Sequence, residues 1–454
     1  MNVSRRVVLK GAAALPLAVS NFGFGAAAQT ASAAAGDIPP ILFVHGNGDH
    51  AALWMTTLWR MESNGISGDR MFAINFIDPL ARTDDTVAQA NRSSTEDQRR
   101  ELGEAIKELK RRTGASRVAL VGNSRGGNSI RSYIKNGGAT DISHAVLCGV
   151  PNHGVYDWDE GLGGEFNGRG PFLRGLNEGE TEVTPGPAFL TLRSDGMDKY
   201  AQPDGRFVGK PGTPTGIASD GPALKGATNL VLGAVDHRET AFSPRAFREI
   251  YKFIAAREPE RIAVTPEAAV KLSGLVTGTP GGVQTNRPVA GASVEIYRVS
   301  PETGERIGAA VHASQTAADG RWGPAQVDPS WALEIVLVAA GSTTTHFYRS
   351  PCLRSSDVVH LRAARALAPD EAAGAVVMMS RPRGYFGLPR DVVLLDGKEA
   401  TDVKSGVPTD SITTARLSAA EAGRSVVAMF NQERIVARAW PASENRISIA
   451  ELTT

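Results

Sequence analysis

Arg117-Val-Ala-Leu-Val-Gly-Asn-Ser-Arg-Gly126 is the stretch that decides how this chain folds. A short apolar, β-branched run leads into G-x-S-x-G, and a helical pattern follows from Gly126 to Ile134. That order describes a strand, a very tight turn and a helix, with Ser124 at the apex. The glycines have a steric reason. The turn must lift the serine Oγ clear of the backbone, and a side chain on either flank would strike the strand or the helix. Strain at Ser124 is sustainable because a sheet holds both ends of the turn.

A serine presented this way needs a base, an acid to orient the base, and two N–H donors for a developing oxyanion. Thr228–Gly233 reads as a buried strand ending in Ala234-Val235-Asp236-His237, and an amphipathic helix follows from Ser243 to about Ala256. His237 is therefore expected at the carboxyl end of a strand, where open α/β sheets hold their sites, and it is the candidate base. The acid should follow the preceding strand, Ala188–Leu192, and Asp195 and Asp198 both qualify. Asp198 is preferred because Ser194-Asp195-Gly196 is turn chemistry; Asp195 stays as the alternative. The first strand, Pro40–Val44, runs into His45-Gly46-Asn47-Gly48, whose small residues let backbone approach a substrate carbonyl. The amides of Asn47 and Arg125 are the expected oxyanion donors, with His45 bracing the loop. His50, His153 and Trp54 are candidate substrate contacts; Trp54 and Trp59 also suit a core-facing helix.

His45-Gly46-Asn47-Gly48, Gly122-Asn123-Ser124-Arg125-Gly126, Gly149-Val-Pro-Asn-His-Gly154 and Asp236-His237 together resemble the bacterial lipase and esterase branch of the α/β-hydrolase superfamily, over residues from about 38 to 258. The resemblance implies a parallel sheet flanked by helices and a cofactor-free Ser124–His237–Asp198 hydrolase of carboxylic esters. An extracellular polyester depolymerase is the near alternative; a secreted binding module on an inactive scaffold is the alternative of another class. The elbow departs from the His-Ser-Met or His-Ser-Gln of many lipases, so Asn123-Ser124-Arg125 sets a charged residue beside the nucleophile.

Ser4-Arg5-Arg6-Val7-Val8-Leu9-Lys10 matches a twin-arginine export signal, followed by a mildly apolar Gly11–Ser20 and A-x-A sites near Ala28 and Ala35. Cleavage near residue 35 and a periplasmic or secreted product are expected. Loss of Arg5, Arg6 and Lys10 takes the formal charge from +1 to −2, which offers nothing electrostatic to nucleic acid or to an anionic membrane. The apolar stretch is shorter than the ~20 residues of a membrane span. Cys148, in a buried-looking run, and Cys352 are expected to stay free thiols, and no Cys-x-x-Cys or His-rich spacing points to a metal.

The chain is long enough for more than one domain. Four segments are expected: a leader over 1–35, an α/β-hydrolase domain over 36–260, a β-sandwich over 265–364 and a small β module over 365–454. Beyond Glu258-Pro259-Glu260 short strands alternate with turns. Arg287–Tyr297 with Thr316–Arg321 resembles carboxypeptidase regulatory-like (transthyretin-like) domains over about 268–362. Neither β module shows a catalytic cluster, so stability, or docking on polymer or a partner, is their expected role. The Gly-rich, aromatic insertion from Val155 to Phe172 suits a cap over a site or an ordered surface loop, and its acids Asp157, Asp159 and Glu160 offer calcium ligands but read as an ordinary solvated group.

Overall fold

The computed structural model describes residues 38–366, 370 and 372–454, so the expected leader lies outside the described residues. Six strands make the central sheet: β1 (Ile41–Val44), β2 (Met71–Ala73), β3 (Val118–Asn123), β4 (Ile142–Cys148), β5 (Ala188–Ser194) and β6 (Thr228–Leu232). Their order is β2-β1-β3-β4-β5-β6, and every pair is parallel. The chain steps from β1 out to β2 and returns to the other side at β3. The order therefore reverses between β1 and β3, which opens a crevice at their carboxyl ends.

Side chains alternate across this sheet. Ile41, Phe43, Ala119 and Val121 face one core with α1 (Met55–Ser63) and the buried stripe Phe247, Ile250 and Ile254 of the last helix. Leu42, Val44, Val118 and Leu120 face the other, against Leu102, Ile106 and Leu109 of α2 (Thr95–Thr113) and Ile130 of α3 (Arg125–Tyr133). The helix ends explain the helix limits. Ser94 and Asp97 form a capping box at the start of α2, and Gly114 closes it at φ 67°. The short helices α4 (Pro171–Leu176) and α5 (Glu239–Phe242) precede α6 (Pro244–Ala255), which starts on a Ser243 cap with Pro244 in the first turn. This is the α/β-hydrolase architecture.

The C-terminal half is strand-rich and largely antiparallel. Its largest sheet runs Ile412–Leu417, Ala375–Ser380, Arg446–Glu451, Thr344–Arg349, Ala332–Val338, Ser293–Val299, His312–Gln315. Strands from both sides of residue 365 share this sheet, joined where Thr344–Arg349 and Ala375–Ser380 each pair in parallel with Arg446–Glu451. The sheet is thus continuous across the expected division into two modules. Sequence pattern marks strands but carries no sign of which strands pair at long range. Neighbours on one strand face different cores: Phe347 packs with Val270, Trp322 and Leu361, whereas Tyr348 packs with Val377, Phe386 and Val426.

The two halves of the chain are joined through side chains. Met55 and Trp59 of α1 belong to the core of Val270, Trp322 and Leu361, and the Trp59 indole donates to the Ser355 carbonyl at 3.0 Å. Asn286 Nδ2 donates to the carbonyls of Asp49 and Phe76, at 3.0 and 2.9 Å. Both cysteines are buried and free, and burial pushes both thiols up. No helix among the described residues is long and apolar enough to cross a membrane.

Candidate active site

Ser124 sits between β3 and α3 with φ 53° and ψ −126°, a region L-residues avoid. The turn is pinned from both sides: the Ser124 amide donates to the Cys148 carbonyl at 2.9 Å, and its own carbonyl accepts from the Gly127 amide at 3.0 Å. A Cβ on Gly126 would stand 2.4 Å from the His45 carbonyl oxygen, and one on Gly46 would stand 2.9 Å from the Ser124 Cβ. Only bare backbone fits where the β1 and β3 loops meet.

His237 follows β6, and its Nδ1 lies 2.8 Å from Asp198 Oδ2. A carboxylate can only accept, so Nδ1 carries the proton and Nε2 is left as the basic nitrogen. The other oxygen, Asp198 Oδ1, accepts from the Tyr200 amide at 2.8 Å, which fixes the carboxylate plane. The Tyr200 ring meets His237 edge-on, with centroids 4.7 Å apart, and the His237 carbonyl accepts from Thr240 Oγ1 at 2.6 Å. Asp195 goes elsewhere: it is exposed, and its carboxylate accepts from the Ala234 amide at 3.0 Å.

Ser124, His237, Asn47 and Gly46 line one cavity of about 230 Å³. Val155, Tyr156, Phe166, Val208 and Tyr200 give it an apolar and aromatic side, and Asp49, Asn123, Arg238 and Tyr385 also line it. The amides of Asn47 and Arg125 donate to no other group among the described residues, which leaves two N–H groups beside the serine. Asn47 Oδ1 accepts from the Ala81 amide at 2.8 Å and so sets the loop. Beneath it His45 is buried; its Nε2 accepts from the Phe76 amide at 3.1 Å and its Nδ1 faces the Gly46 carbonyl at 2.9 Å. Burial holds its pKa down at about 4, so it braces the loop as a neutral ring.

The charged residue beside Ser124 does not enter the cavity. The Arg125 guanidinium is buried and bound by the Glu165 carboxylate, the Pro79 and Ser93 carbonyls and Ser93 Oγ. It ties the insertion to the scaffold, and the Arg125 backbone amide takes no part in that tie. The insertion is well anchored throughout: Asn167 Nδ2 donates to the carbonyls of Trp158 and Glu160, both at 2.9 Å, and Tyr156 stacks on Trp158. Its acids are ion-paired, Asp157 and Asp159 with Arg169 and Glu160 with Lys210. No group of metal-binding side chains occurs among the described residues.

Three expected substrate contacts lie outside the cavity. Trp54 is fully buried and packs on Phe43 with ring centroids 5.2 Å apart, a core residue at the end of the short helical turn over residues 51–54. His50 stacks flat on His360 of the C-terminal half, with centroids 3.7 Å apart. His153 pairs with Glu182 at 3.1 Å and borders a smaller neighbouring cavity that also reaches His237. Sequence reading missed Tyr200, Arg238 and Tyr385. Tyr200 carried a signal, two positions beyond Asp198; Tyr385 carried none.

Two family models match the chain, the palmitoyl protein thioesterase model over residues 40–175 and the lipase C-terminal domain model over residues 268–366. The second covers the stretch that resembles carboxypeptidase regulatory-like domains. No curated protein matches. Among solved structures, the gene lin2722 products from Listeria innocua align at 18% identity over 50% of this chain and 97% of that one, with a TM-score of 0.34. Bacillus licheniformis lipase BlEst2 in mature form aligns at 19% identity over 47% and 91%, TM-score 0.34. Aspergillus fumigatus lipase B aligns at 16% identity over 50% and 54%, TM-score 0.35. The fold stands on the sheet order and not on these overlaps. The family models support a hydrolase of the lipase and esterase type.

Proposed function

We propose that this α/β-hydrolase is an exported serine ester hydrolase. The observation that carries the reading is His237, paired with Asp198, lining the same cavity as Ser124 at its strained elbow. His237 Nε2 takes the Ser124 proton as Oγ attacks the ester carbonyl. The Asn47 and Arg125 amides receive the oxyanion. Collapse of the tetrahedral adduct expels the alcohol, which takes the proton from His237. Water, activated by the same nitrogen, then frees the acid. A thioester carbonyl offers the same target, in keeping with the name of the N-terminal family model.

The test is labelling of the purified protein with a serine-directed fluorophosphonate, together with turnover of a graded p-nitrophenyl ester series and a polyester film. Labelling confined to Ser124 with soluble-ester turnover is expected. A second labelled serine, or activity surviving Ser124→Ala, rejects the assignment. Strong film erosion with poor soluble turnover favours the depolymerase reading. Export through the twin-arginine route rests on Arg5 and Arg6. Replacing both by Lys should strand precursor in the cytoplasm; normal export of that double variant rejects the route.

A further inference from the structure

Tyr385 belongs to the C-terminal half, yet it lines the Ser124 cavity. Its backbone is clamped to the histidine loop. The Tyr385 amide donates to Asp236 Oδ2 at 2.7 Å, and its carbonyl accepts from Arg381 Nη1 at 2.6 Å and Arg390 Nη2 at 3.2 Å. Arg381 also holds Asp236 at 3.0 Å, and both arginines pair with Glu239. Asp236 is wholly buried and is the residue before His237. The ring is held as firmly. Lys199 Nζ stands 3.9 Å from its centroid and Arg238 Cζ 5.0 Å, and these cations are the chain neighbours of Asp198 and His237. A buried tyrosine fixed at its amide, its carbonyl and its ring face cannot swing aside for a larger substrate.

We infer that Tyr385 is a specificity-determining residue, a rigid wall contributed by the C-terminal β half that confines the substrate to a compact acyl group. The inference rests on the serine hydrolase reading. The cavity size agrees with it. About 230 Å³ lies below the ~300–1,000 Å³ of clefts for drug-sized ligands. Val155, Phe166 and Val208 supply an apolar side, while Asp49 and Arg238, paired with each other at 3.4 Å, also line the cavity. The reacting groups themselves come from the N-terminal half, so Tyr385 selects substrate without touching the proton path.

Two fluorophosphonates, one with a short and one with a long or branched alkyl chain, test this on the full chain. The ratio of their Ser124 labelling rates is the readout. Tyr385→Ala should raise the large-to-small ratio by about tenfold or more, the scale of discrimination by a pocket wall. Tyr385→Phe, which keeps the ring between the cations, should restore the wild-type ratio. Small-probe labelling of Ser124 certifies that each variant is folded, and Tyr385→Leu replaces Tyr385→Ala if the latter fails that check. An unchanged ratio in a folded variant overturns the inference while leaving the hydrolase reading intact. Absence of Ser124 labelling in the wild-type protein overturns that reading, and the inference with it.

Discussion

At the scale of single residues the site turns on two choices, which carboxylate orients His237 and why a serine tolerates φ 53°. Asp198 meets His237 Nδ1 at 2.8 Å, whereas Asp195 holds the Ala234 amide. Asp198→Asn should therefore lower kcat by a factor on the order of 10⁴, because an amide no longer enforces the needed tautomer. Asp195→Asn should change kcat by only a few-fold; the reverse order would reassign the acid. The elbow stores strain of roughly 1–3 kcal/mol at a non-glycine residue. Ser124→Gly and Ser124→Ala both remove the proposed nucleophile, but only glycine relieves the backbone. The glycine variant should resist denaturant better than the alanine variant by about 1 kcal/mol. Equal midpoints would mean that the turn is unstrained.

At the scale of elements, the insertion after β4 is fastened through the residue that follows the nucleophile. The Arg125 and Glu165 side chains are 2% and 4% exposed. Neither charge can be left alone at that depth. Arg125→Met should cost about 3–5 kcal/mol in denaturant unfolding, and Arg125→Met with Glu165→Leu should recover most of it. A single variant within about 1 kcal/mol of wild type would show that water reaches the pair. An arginine beside the serine reads in the sequence as a charge near the acyl site. Only the fold shows it turned toward an acid from another loop, forty positions onward.

At the scale of the whole molecule the β half is structural partner to the site. A chain ending near residue 263 retains Ser124, Asp198 and His237 but loses Tyr385 and Arg381, and it bares Met55 and Trp59. The sequence pattern by itself describes a separate catalytic domain over 36–260 and β modules with no catalytic cluster. The contacts between the halves argue for dependence instead: such a chain should aggregate, or lose about a hundredfold or more in kcat/KM, roughly 2.7 kcal/mol. A soluble truncation with near-native turnover would refute this. The junction should also be acid-sensitive. Burial lowers the pKa of His45 to about 4 and holds the stacked His50 and His360 well below the ordinary value of 6.5; nearby Arg362 pushes the same way. Between pH 6.5 and 4 the unfolded chain binds protons that the folded chain refuses, so stability falls as pH falls. His45 alone withdraws about 3 kcal/mol once the pH is below 4. Denaturant midpoints at pH 7 and pH 5 should differ accordingly, and less so in His360→Phe. A flat profile would mean that these rings are hydrated.

Local pattern determined much of this. Alternation of short apolar runs with amphipathic helices implies a parallel sheet, because a strand that pairs again in the same direction needs a long crossover, most often a helix. Glycine spacing around Ser124 implies the elbow, since only that turn excludes side chains on both flanks. The position of His237 after the last strand follows from the same logic. What the tertiary structure decided is long-range. Asp198 was separated from Asp195 by which carboxylate faces the imidazole. Trp54 went to the core and His50 to the junction because of what packs on them. The continuous sheet on both sides of residue 365 and the arrival of Tyr385 at the cavity depend on pairings between segments far apart in the chain. Periodicity describes which face of an element is apolar; it holds no information on which distant surface will cover that face.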